Sequence, residues 1–279
     1  MRPSELRRWA VAELTRAGVP SPAADAAMLL RHVVSGVTDR PLELLEVLPD
    51  DAAATYRALV ARRAGREPLQ LILGQVVFRT STLSVAPGVF IPRPETELVA
   101  GVAIDALRAG GSRRALDLCT GTGAIAAALA DEVPGAHILA VELDPAAVVV
   151  ARENLEPRGV GVVRGDVRTL ELDGQWDVVV SNPPYIPPDA VPRDPEVVRW
   201  DPAGALYGGG ADGLEIPAAV VAQAARLLRP GGVLVMEHAD VQGAAVRALV
   251  ERSGAFAEVS TGVDLAGRER WVRAIARGM

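Results

Sequence analysis

A proline-rich tetrapeptide with one amide side chain, Asn182-Pro183-Pro184-Tyr185, directly follows an apolar run. The two prolines remove two backbone N–H donors and restrict the backbone, so the Asn182 side chain and the Pro183 carbonyl should be presented as rigid acceptors. Such a pair suits an NH2 group, because each oxygen can accept one of its hydrogens. It would align a planar amide nitrogen for reaction, with Tyr185 packed against the flat amide. The alternative is a proline-stiffened turn.

Glycine and acidic residues follow three further apolar runs. Gly121 and Gly123 follow the first, where they allow close approach of a ligand, although the dinucleotide spacing G-x-G-x-x-G is missing. Glu142 ends the second run, from where a carboxylate can accept the hydroxyl hydrogens of a ribose. Asp166 ends the third, where it either accepts from an adenine amino group or caps its own loop. Asp144 precedes a proline and is predicted to be a helix N-cap. This order fits S-adenosylmethionine better than a dinucleotide, because no third glycine is present for a pyrophosphate.

Short apolar runs alternate with helical segments in the second half of the chain. The runs are 115–118, 137–142, 161–166, 176–181 and 231–238, and helices are predicted at 122–132, 145–157, 214–229 and 240–253. Strand–helix alternation indicates a doubly wound parallel sheet with right-handed crossovers. Runs at 256–263 and 268–276 could add an antiparallel edge pair. Ligands bind such sheets at the carboxyl ends of the strands, which is where the polar residues lie.

The first seventy or so residues show helical spacing of apolar residues and no chemical motif. Ser4 and Ser21 are predicted to cap helices, since a serine oxygen can accept from an orphan backbone N–H. A further helix is indicated by residues at helical spacing, namely Tyr56, Leu59, Val60 and Arg63. The pair Arg62-Arg63 is interpreted as a solvated face rather than a binding patch.

An alternating stretch at 75–84 suggests a hairpin-like connector, and the proline-rich residues 87–94 must be stiff and extended before a helix begins near Thr96. We therefore predict three segments. They are a helical domain at 1–73, a hairpin and proline-rich linker at 74–95, and a catalytic domain at 96–279.

The composition excludes several classes of protein. The chain has 279 residues, of which 49% are hydrophobic and 23% are charged, an ordinary globular balance that excludes disorder. No apolar run reaches the ~18 residues of a membrane span, and no secretory signal is visible, so a cytoplasmic location is expected. One cysteine, Cys119, and three histidines argue against a disulfide framework and against a metal site. A surface with a net charge of -6 should not attract the phosphate backbone of a nucleic acid. All 29 basic residues are arginine, which is interpreted as a bias in composition.

The tetrapeptide, together with LCTGTG at 118–123, is similar to the amino-methyltransferases that modify planar nitrogens in DNA, RNA or protein. Further segments narrow the resemblance: PGVFIPRPETELV at 87–99, RWDPAGALYGGGADGL at 199–214, GGVLVMEHADVQG at 231–243 and DLAGRERWV at 264–272. With these the chain resembles the peptide chain release factor glutamine methyltransferases. The resemblance covers essentially the whole chain and is weakest in residues 1–65.

This resemblance implies a fold and an activity. The fold is a Rossmann-like class I methyltransferase domain, an α/β domain with a seven-stranded, mostly parallel mixed sheet, preceded by a small helical domain and a β-hairpin linker. The activity is transfer of a methyl group from S-adenosylmethionine to the side-chain nitrogen, N5, of the glutamine in the Gly-Gly-Gln motif of release factors, which leaves S-adenosylhomocysteine.

The resemblance also implies site residues by position. The target glutamine would be bound by Asn182, Pro183, Pro184 and Tyr185. The cofactor would be lined by Cys119, Thr120, Gly121, Thr122, Gly123, Glu142, Asp166, Val167 and Asn182. Cys119 stands where the family commonly has glycine, and Glu142 where aspartate is more usual. Cofactor binding is expected despite both departures, because cysteine is small and glutamate keeps the carboxylate. Cys119 is interpreted as a small buried hydrophobe and not as a nucleophile.

Three alternatives stay open at this point. A glutamine methyltransferase that acts on a ribosomal protein would share the same chemistry. An adenine-N6 nucleic-acid methyltransferase would use the tetrapeptide on a flipped base, but the acidic chain has no basic recognition domain. A cofactor-binding scaffold or assembly factor would not need the tetrapeptide.

The expected partner is a release factor, with neither nucleic acid nor membrane involved. The helical domain is the candidate for docking that partner, and a monomer is the default. No general base is obvious, and His238 is interpreted as a structural histidine.

Overall fold

The computed structural model describes residues 1–38, 45–192 and 194–278. The α-helices are α1 (Pro3–Arg16), α2 (Pro22–Ser35), α3 (Asp50–Ala64), α4 (Leu69–Leu73), α5 (Pro94–Ala109), α6 (Ala124–Glu132), α7 (Pro145–Leu155), α8 (Pro195–Trp200), α9 (Ala203–Leu206), α10 (Glu215–Leu227) and α11 (Gly243–Arg252). The strands are β1 (Gln75–Phe78), β2 (Ser81–Ser84), β3 (Arg114–Leu118), β4 (His137–Glu142), β5 (Gly161–Arg164), β6 (Trp176–Ser181), β7 (Leu228–Glu237), β8 (Phe256–Val263) and β9 (Glu269–Ala276).

The chain forms two compact units. Met1–Gln75 and Pro192–Trp200 make the helical unit, and Val76–Val191 and Asp201–Met279 make the sheet unit. The helical unit therefore includes α8, which is contributed by a distant stretch of the chain. The division at residues 73 and 95 stays a prediction.

The helical unit has an apolar core of its own, formed by the faces of α1, α2 and α3 that carry the periodic residues. Leu14, Leu29 and Tyr56 are fully buried there. The buried Tyr56 hydroxyl donates to the Ala26 carbonyl at 2.9 Å, which satisfies the one polar atom of that side chain. Helical spacing thus predicted the core-facing residues of this unit.

Arg63 corrects one interpretation, because it is 5% exposed rather than solvated. Its Nε donates to Asp25 Oδ2 at 2.7 Å, and its Nη1 donates to Glu196 Oε1 of α8 at 2.8 Å. The physical reason lies in the helix period: Arg63 lies seven residues after Tyr56 and three after Val60, on the buried face of α3. Arg62 points outward and pairs with Glu67.

Of the three predicted N-caps, one is confirmed, one is confirmed in position but lacks the capping hydrogen bond, and one is wrong. Asp144 caps α7, because its Oδ1 accepts from the N–H groups of Ala146 and Ala147. Ser4 lies inside α1, whose N-cap is Arg2, since Pro3 takes the first helical position. Ser21 occupies the N-cap position of α2 but makes no capping hydrogen bond through its side chain.

The sheet unit is built on a seven-stranded mixed sheet with the order β5-β4-β3-β6-β7-β9-β8. The first five strands in this order pair in parallel, and β9 pairs antiparallel with both β7 and β8. The predicted Rossmann-like α/β fold and antiparallel edge pair are therefore confirmed. The direction of winding reverses between β3 and β6, which is the switch point where ligands bind.

Alternate residues of the central strands face opposite sides of the sheet and divide the core in two. Ala115 and Val178 pack with α5 and α6 on one side, whereas Leu116 and Val179 pack with α10 and α11 on the other. Because both faces are covered, all six residues of β6 are buried. The central strands are thus held rigidly, with only their ends free to meet a ligand.

The hairpin is also confirmed: β1 and β2 form a separate two-stranded sheet. The short helices α8 and α9 were not predicted, since prolines interrupt the periodicity there. No helix among the described residues is long and apolar enough to cross a membrane. Within the same residues, no group of three or more His, Cys, Asp or Glu side chains is arranged to hold a metal ion.

Candidate active site

A cavity of about 570 Å³ lies at the carboxyl ends of β3, β4 and β6, which is the size of a small-molecule site. Its wall contains the following residues from the predicted site: Cys119, Thr120, Gly121, Thr122, Glu142, Asp166, Val167, Asn182, Pro183, Pro184 and Tyr185. The fold thus brings together segments more than sixty residues apart in sequence. Gly123 is the one predicted residue that is not in this wall.

The two glycines after β3 serve different purposes. Gly121 has a φ of 58°, and a Cβ built on it would meet no heavy atom within 4 Å, so the backbone here borders open space. Gly123 has a φ of 85°, and a Cβ would lie 2.8 Å from the Leu155 side chain. Gly121 therefore opens the cavity, whereas Gly123 allows the loop to pack against α7.

Asp117 holds this loop through hydrogen bonds and was not among the predicted site residues. Its side chain is fully buried, and its Oδ2 accepts from Thr120 Oγ1 at 2.5 Å and from the Ala126 N–H at 3.1 Å. Burial raises the pKa of Asp117 to about 7, against the effect of these hydrogen bonds. The sequence did contain a signal for this role, because Asp117 is an acidic residue inside the otherwise apolar run at 115–118.

Cys119 adopts a φ of 59°, in the left-handed region that favours glycine. It stands where the resemblance leads one to expect glycine, so the thiol is accommodated with backbone strain of about 1 kcal/mol. Burial raises the pKa of the Cys119 thiol, and the nearby Glu142 and Asp117 carboxylates raise it further. A thiol of this kind is a poor nucleophile, as predicted, but Cys119 is half-buried in the cavity wall rather than buried.

Glu142 ends β4 with both carboxylate oxygens in use. Oε2 accepts from the Gly121 N–H at 2.8 Å, and Oε1 accepts from the N–H groups of Leu143 and Asp144 at 2.8 and 2.9 Å. A carboxylate has about four acceptor positions, so one remains for a ligand. The side chain is fixed by these three bonds at the edge of the cavity.

Asp166 lies two residues beyond the end of β5. Its Oδ1 accepts from the Arg168 N–H at 2.9 Å, which is the loop-capping arrangement, and its Oδ2 pairs with Arg168 Nη2 at 2.7 Å. Hydrogen bonding from Arg168 lowers the pKa of Asp166, so this side chain is a carboxylate at neutral pH and only accepts.

The tetrapeptide follows β6 directly, and all four of its residues line the cavity. Ser181 anchors the strand end, since its hydroxyl donates to the Leu118 carbonyl at 2.7 Å. Asn182 Nδ2 donates to Thr96 Oγ1 at 3.2 Å, so Oδ1 is the free end of that amide. Among the described residues, no donor engages Asn182 Oδ1 or the Pro183 carbonyl.

The glycine-rich segment after α9 supports the backbone of the tetrapeptide. A Cβ on Gly208 would lie 2.7 Å from the Pro184 carbonyl oxygen, and one on Gly213 would lie 2.3 Å from that of Tyr185. Gln242 Nε2 donates to the same Tyr185 oxygen at 2.8 Å. Only glycine permits this approach, which explains why the segment is rich in it.

A buried acid lies behind the tetrapeptide. Glu237, at the end of β7, is 3% exposed, and its Oε1 accepts from the Tyr185 hydroxyl at 3.3 Å. Burial raises the pKa of Glu237 to about 7, and hydrogen bonding with Thr96 and Tyr185 acts in the opposite direction. Neither Thr96 nor Glu237 was predicted from the sequence as a site residue.

His238 is fully buried and not in the cavity wall. Its Nδ1 lies 2.8 Å from the Ala239 carbonyl oxygen, and burial lowers its pKa. A neutral, enclosed imidazole agrees with a structural role.

Comparison with known proteins agrees with this geometry. The family described as PrmC N-terminal domain matches residues 5–74, and that described as methyltransferase small domain matches residues 81–193. The release factor glutamine methyltransferase of Streptomyces coelicolor is 46% identical, with 95% of each chain covered. That of Bifidobacterium longum is 40% identical, with 98% of this chain and 99% of its own covered.

Among solved structures, the T. thermophilus 16S rRNA N2 G1207 methyltransferase RsmC, in complex with AdoMet and guanosine, is similar with a TM-score of 0.52 and 25% identity. The match covers 73% of this chain and 50% of that one.

The sheet order and the strand-end cavity, with these matches, define a methyltransferase with the Rossmann-like class I fold. The near full-length relatives then narrow the class. The chain belongs to the release factor glutamine methyltransferase family.

Proposed function

We propose that this protein transfers a methyl group from S-adenosylmethionine to the side-chain amide nitrogen, N5, of the glutamine in the Gly-Gly-Gln motif of release factors. The observation that carries the proposal is the pair of free acceptors, Asn182 Oδ1 and the Pro183 carbonyl, at the wall of the strand-end cavity. An NH2 group is the partner that satisfies both, because it donates two hydrogens.

The residues at the strand ends fit S-adenosylmethionine. The open backbone at Gly121 gives room for a ligand that a side chain would otherwise fill. Glu142 is proposed to accept from the ribose at its remaining acceptor position, and Asp166 from the adenine amino group. Thr120, Thr122, Val167 and the exposed part of Cys119 would line the rest. S-adenosylmethionine, when bound, supplies a methyl group on a sulfonium centre.

The proposed task of the tetrapeptide is to position the target amide. An amide nitrogen is a weak nucleophile because its lone pair is delocalised into the carbonyl. By accepting both hydrogens, Asn182 Oδ1 and the Pro183 carbonyl hold the nitrogen in a single orientation, and fixed alignment lowers the barrier. Tyr185 shields the amide from water. The alkylated amide is strongly acidic, so its proton can pass to water without a dedicated base.

A labelling assay tests this function. Release factor, ribosomal proteins and duplex DNA are each incubated with the protein and S-adenosylmethionine that carries a tritiated methyl group. We expect label on release factor alone, and none when glutamate replaces the glutamine of Gly-Gly-Gln, since glutamate lacks the NH2 group. Asn182→Ala should remove most of the label while calorimetry shows that the cofactor still binds. Label on ribosomal protein or DNA would instead support the corresponding alternative, and no label anywhere would support a scaffold.

We propose further that the helical unit docks the body of the release factor. In support, the described residues that line the cavity all belong to the sheet unit. Val47 is 61% exposed beside a second cavity that also includes Arg2 and Arg7, which makes it an accessible apolar contact.

Two matched variants test the docking proposal. Val47→Asp should lower kcat/KM for whole release factor and leave that for a short Gly-Gly-Gln peptide unchanged. Val149→Asp is the control, because Val149 is 65% exposed on α7 of the sheet unit. If the two variants use whole release factor equally well, this surface does not dock the substrate.

A further inference from the structure

The side-chain amide of Asn182 has a hydrogen-bond partner for its nitrogen, whereas its oxygen has none among the described residues. Nδ2 and Oδ1 have nearly the same size, so packing alone does not decide which of them faces the ligand. The partner of Nδ2 is Thr96 Oγ1 at 3.2 Å. Thr96 is 3% exposed in the first turn of α5, a position held by the preceding prolines.

The role of Thr96 depends in turn on Glu237. A hydroxyl can donate one hydrogen and accept others, so Thr96 could hold either end of the Asn182 amide. Glu237, buried beside Thr96 and Tyr185, is an acceptor for hydroxyl hydrogens when ionised. With the Thr96 hydrogen directed at Glu237, the lone pairs of Oγ1 remain for Asn182 Nδ2. A hydrogen bond from Thr96 to Glu237 would then link the three side chains.

We propose that Thr96 is a positioning residue that, with Glu237, fixes the Asn182 amide with Oδ1 towards the cavity and thereby makes the site select glutamine over glutamate. This inference rests on the proposed function. A pair of acceptors disfavours a glutamate carboxylate, because the carboxylate has no hydrogen to donate. Its oxygen would lie unpaired beside Asn182 Oδ1 and the Pro183 carbonyl oxygen. A rotated Asn182 amide would instead offer Nδ2 to that carboxylate.

Thr96→Val and Thr96→Ser form the matched pair for the test. Valine keeps the shape of threonine without the hydroxyl, and serine keeps the hydroxyl. For a Gly-Gly-Gln peptide, we expect Thr96→Val to lower kcat/KM about tenfold and Thr96→Ser to remain within about threefold of wild type. A Gly-Gly-Glu peptide should inhibit Thr96→Val about tenfold more strongly than it inhibits wild type, and Thr96→Ser no more strongly.

A second measurement needs no substrate. The side-chain NH2 resonances of Asn182 in the 15N spectrum are assigned by their loss in Asn182→Ala. Their hydrogen exchange should be slow in wild type and in Thr96→Ser, and faster in Thr96→Val, where Nδ2 has lost its acceptor. Glu237→Gln is a second variant in case Thr96→Val does not fold. Its amide can donate to Thr96 Oγ1, so it should also increase inhibition by the Gly-Gly-Glu peptide.

The outcomes separate the two proposals. If wild type does not methylate the peptide, the proposed function fails, while the exchange measurement still tests the orientation of Asn182. If wild type is active and Thr96→Val matches Thr96→Ser in kcat/KM, in inhibition and in exchange, the positioning role of Thr96 is overturned. Equal thermal unfolding of the two folded variants shows that a difference in activity does not arise from lost stability.

Discussion

Replacing the buried Glu237 by glutamine should change how the stability of the protein depends on pH. Glu237 is 3% exposed, and burial raises its pKa from 4.5 to about 7. Of the groups that face it, Glu95 also raises this pKa, whereas Thr96, Tyr185 and Arg270 lower it. Because the folded-state pKa is the higher one, folding favours the protonated form. The stability that this contributes is fully present below pH 4.5 and is lost as the pH rises through 7.

The size of the effect follows from the shift. A change of about 2.5 pH units, at 1.36 kcal/mol per unit, corresponds to about 3 kcal/mol, most of it lost between pH 5 and pH 8. Glutamine does not titrate, so the free energy of unfolding of wild type relative to Glu237→Gln should fall by about this amount over that range. Asp117, whose pKa burial also raises to about 7, is present in both proteins and cancels in the difference.

Urea unfolding at a series of pH values measures this difference. Asp177→Asn is the control, because hydrogen bonds from the Arg114 N–H, Ser112 and Arg229 outweigh burial and hold the pKa of Asp177 at about 2. Its difference from wild type should stay flat between pH 5 and pH 8, since a lowered pKa matters only towards acid. A flat difference for Glu237→Gln, or one that grows with pH, would refute the raised pKa of the buried Glu237 carboxyl.

Two further predictions concern the cavity. Gly213→Ala should lower methyl transfer at least tenfold, because the new Cβ would lie 2.3 Å from the Tyr185 carbonyl oxygen. Gly210→Ala is the control: Gly210 also has a positive φ, but a Cβ there meets nothing closer than 3.4 Å, so activity should stay within about threefold of wild type. Equal activity of the two variants would argue against support of the tetrapeptide by this segment. Glu142→Ala should weaken S-adenosylmethionine binding at least tenfold in calorimetry, whereas Asp144→Ala should leave the Kd within about twofold and lower the free energy of unfolding by about 1 kcal/mol, as expected for a lost N-cap. If Asp144→Ala weakens binding and Glu142→Ala does not, the roles of the two carboxylates are reversed.

The sequence predicted the sheet well because local pattern and tertiary environment agree there. The bounds of β4 and β6 match the apolar runs residue for residue, since buried strands need continuous apolar sequence. The bounds of the edge strand β8 also match the predicted range. The site followed from the fold, because the carboxyl ends of parallel strands meet at one edge. The sequence therefore predicted that the site residues lie close together, namely residues 118–123, 142, 166 and 182–185.

Contacts between distant segments could not be predicted in the same way. Thr96 and Glu237 reach Asn182 and Tyr185 from 86 and 52 positions away along the chain, and neither has a local signature of that role. The same holds for the salt bridge of Arg63 to Glu196, 133 positions apart. The burial of Arg63 nevertheless follows from the helix period, so its interpretation as part of a solvated face was wrong. The close approach of Gly213 to Tyr185 likewise depends on how two loops meet.

The most direct test of the central claim is a crystal structure with S-adenosylhomocysteine and a peptide that contains Gly-Gly-Gln. The glutamine side-chain nitrogen should lie about 3 Å from both Asn182 Oδ1 and the Pro183 carbonyl oxygen, with the sulfur on its open side. A structure in which the glutamine nitrogen contacts neither oxygen, or in which Asn182 turns its oxygen away from the sulfur, would contradict the account.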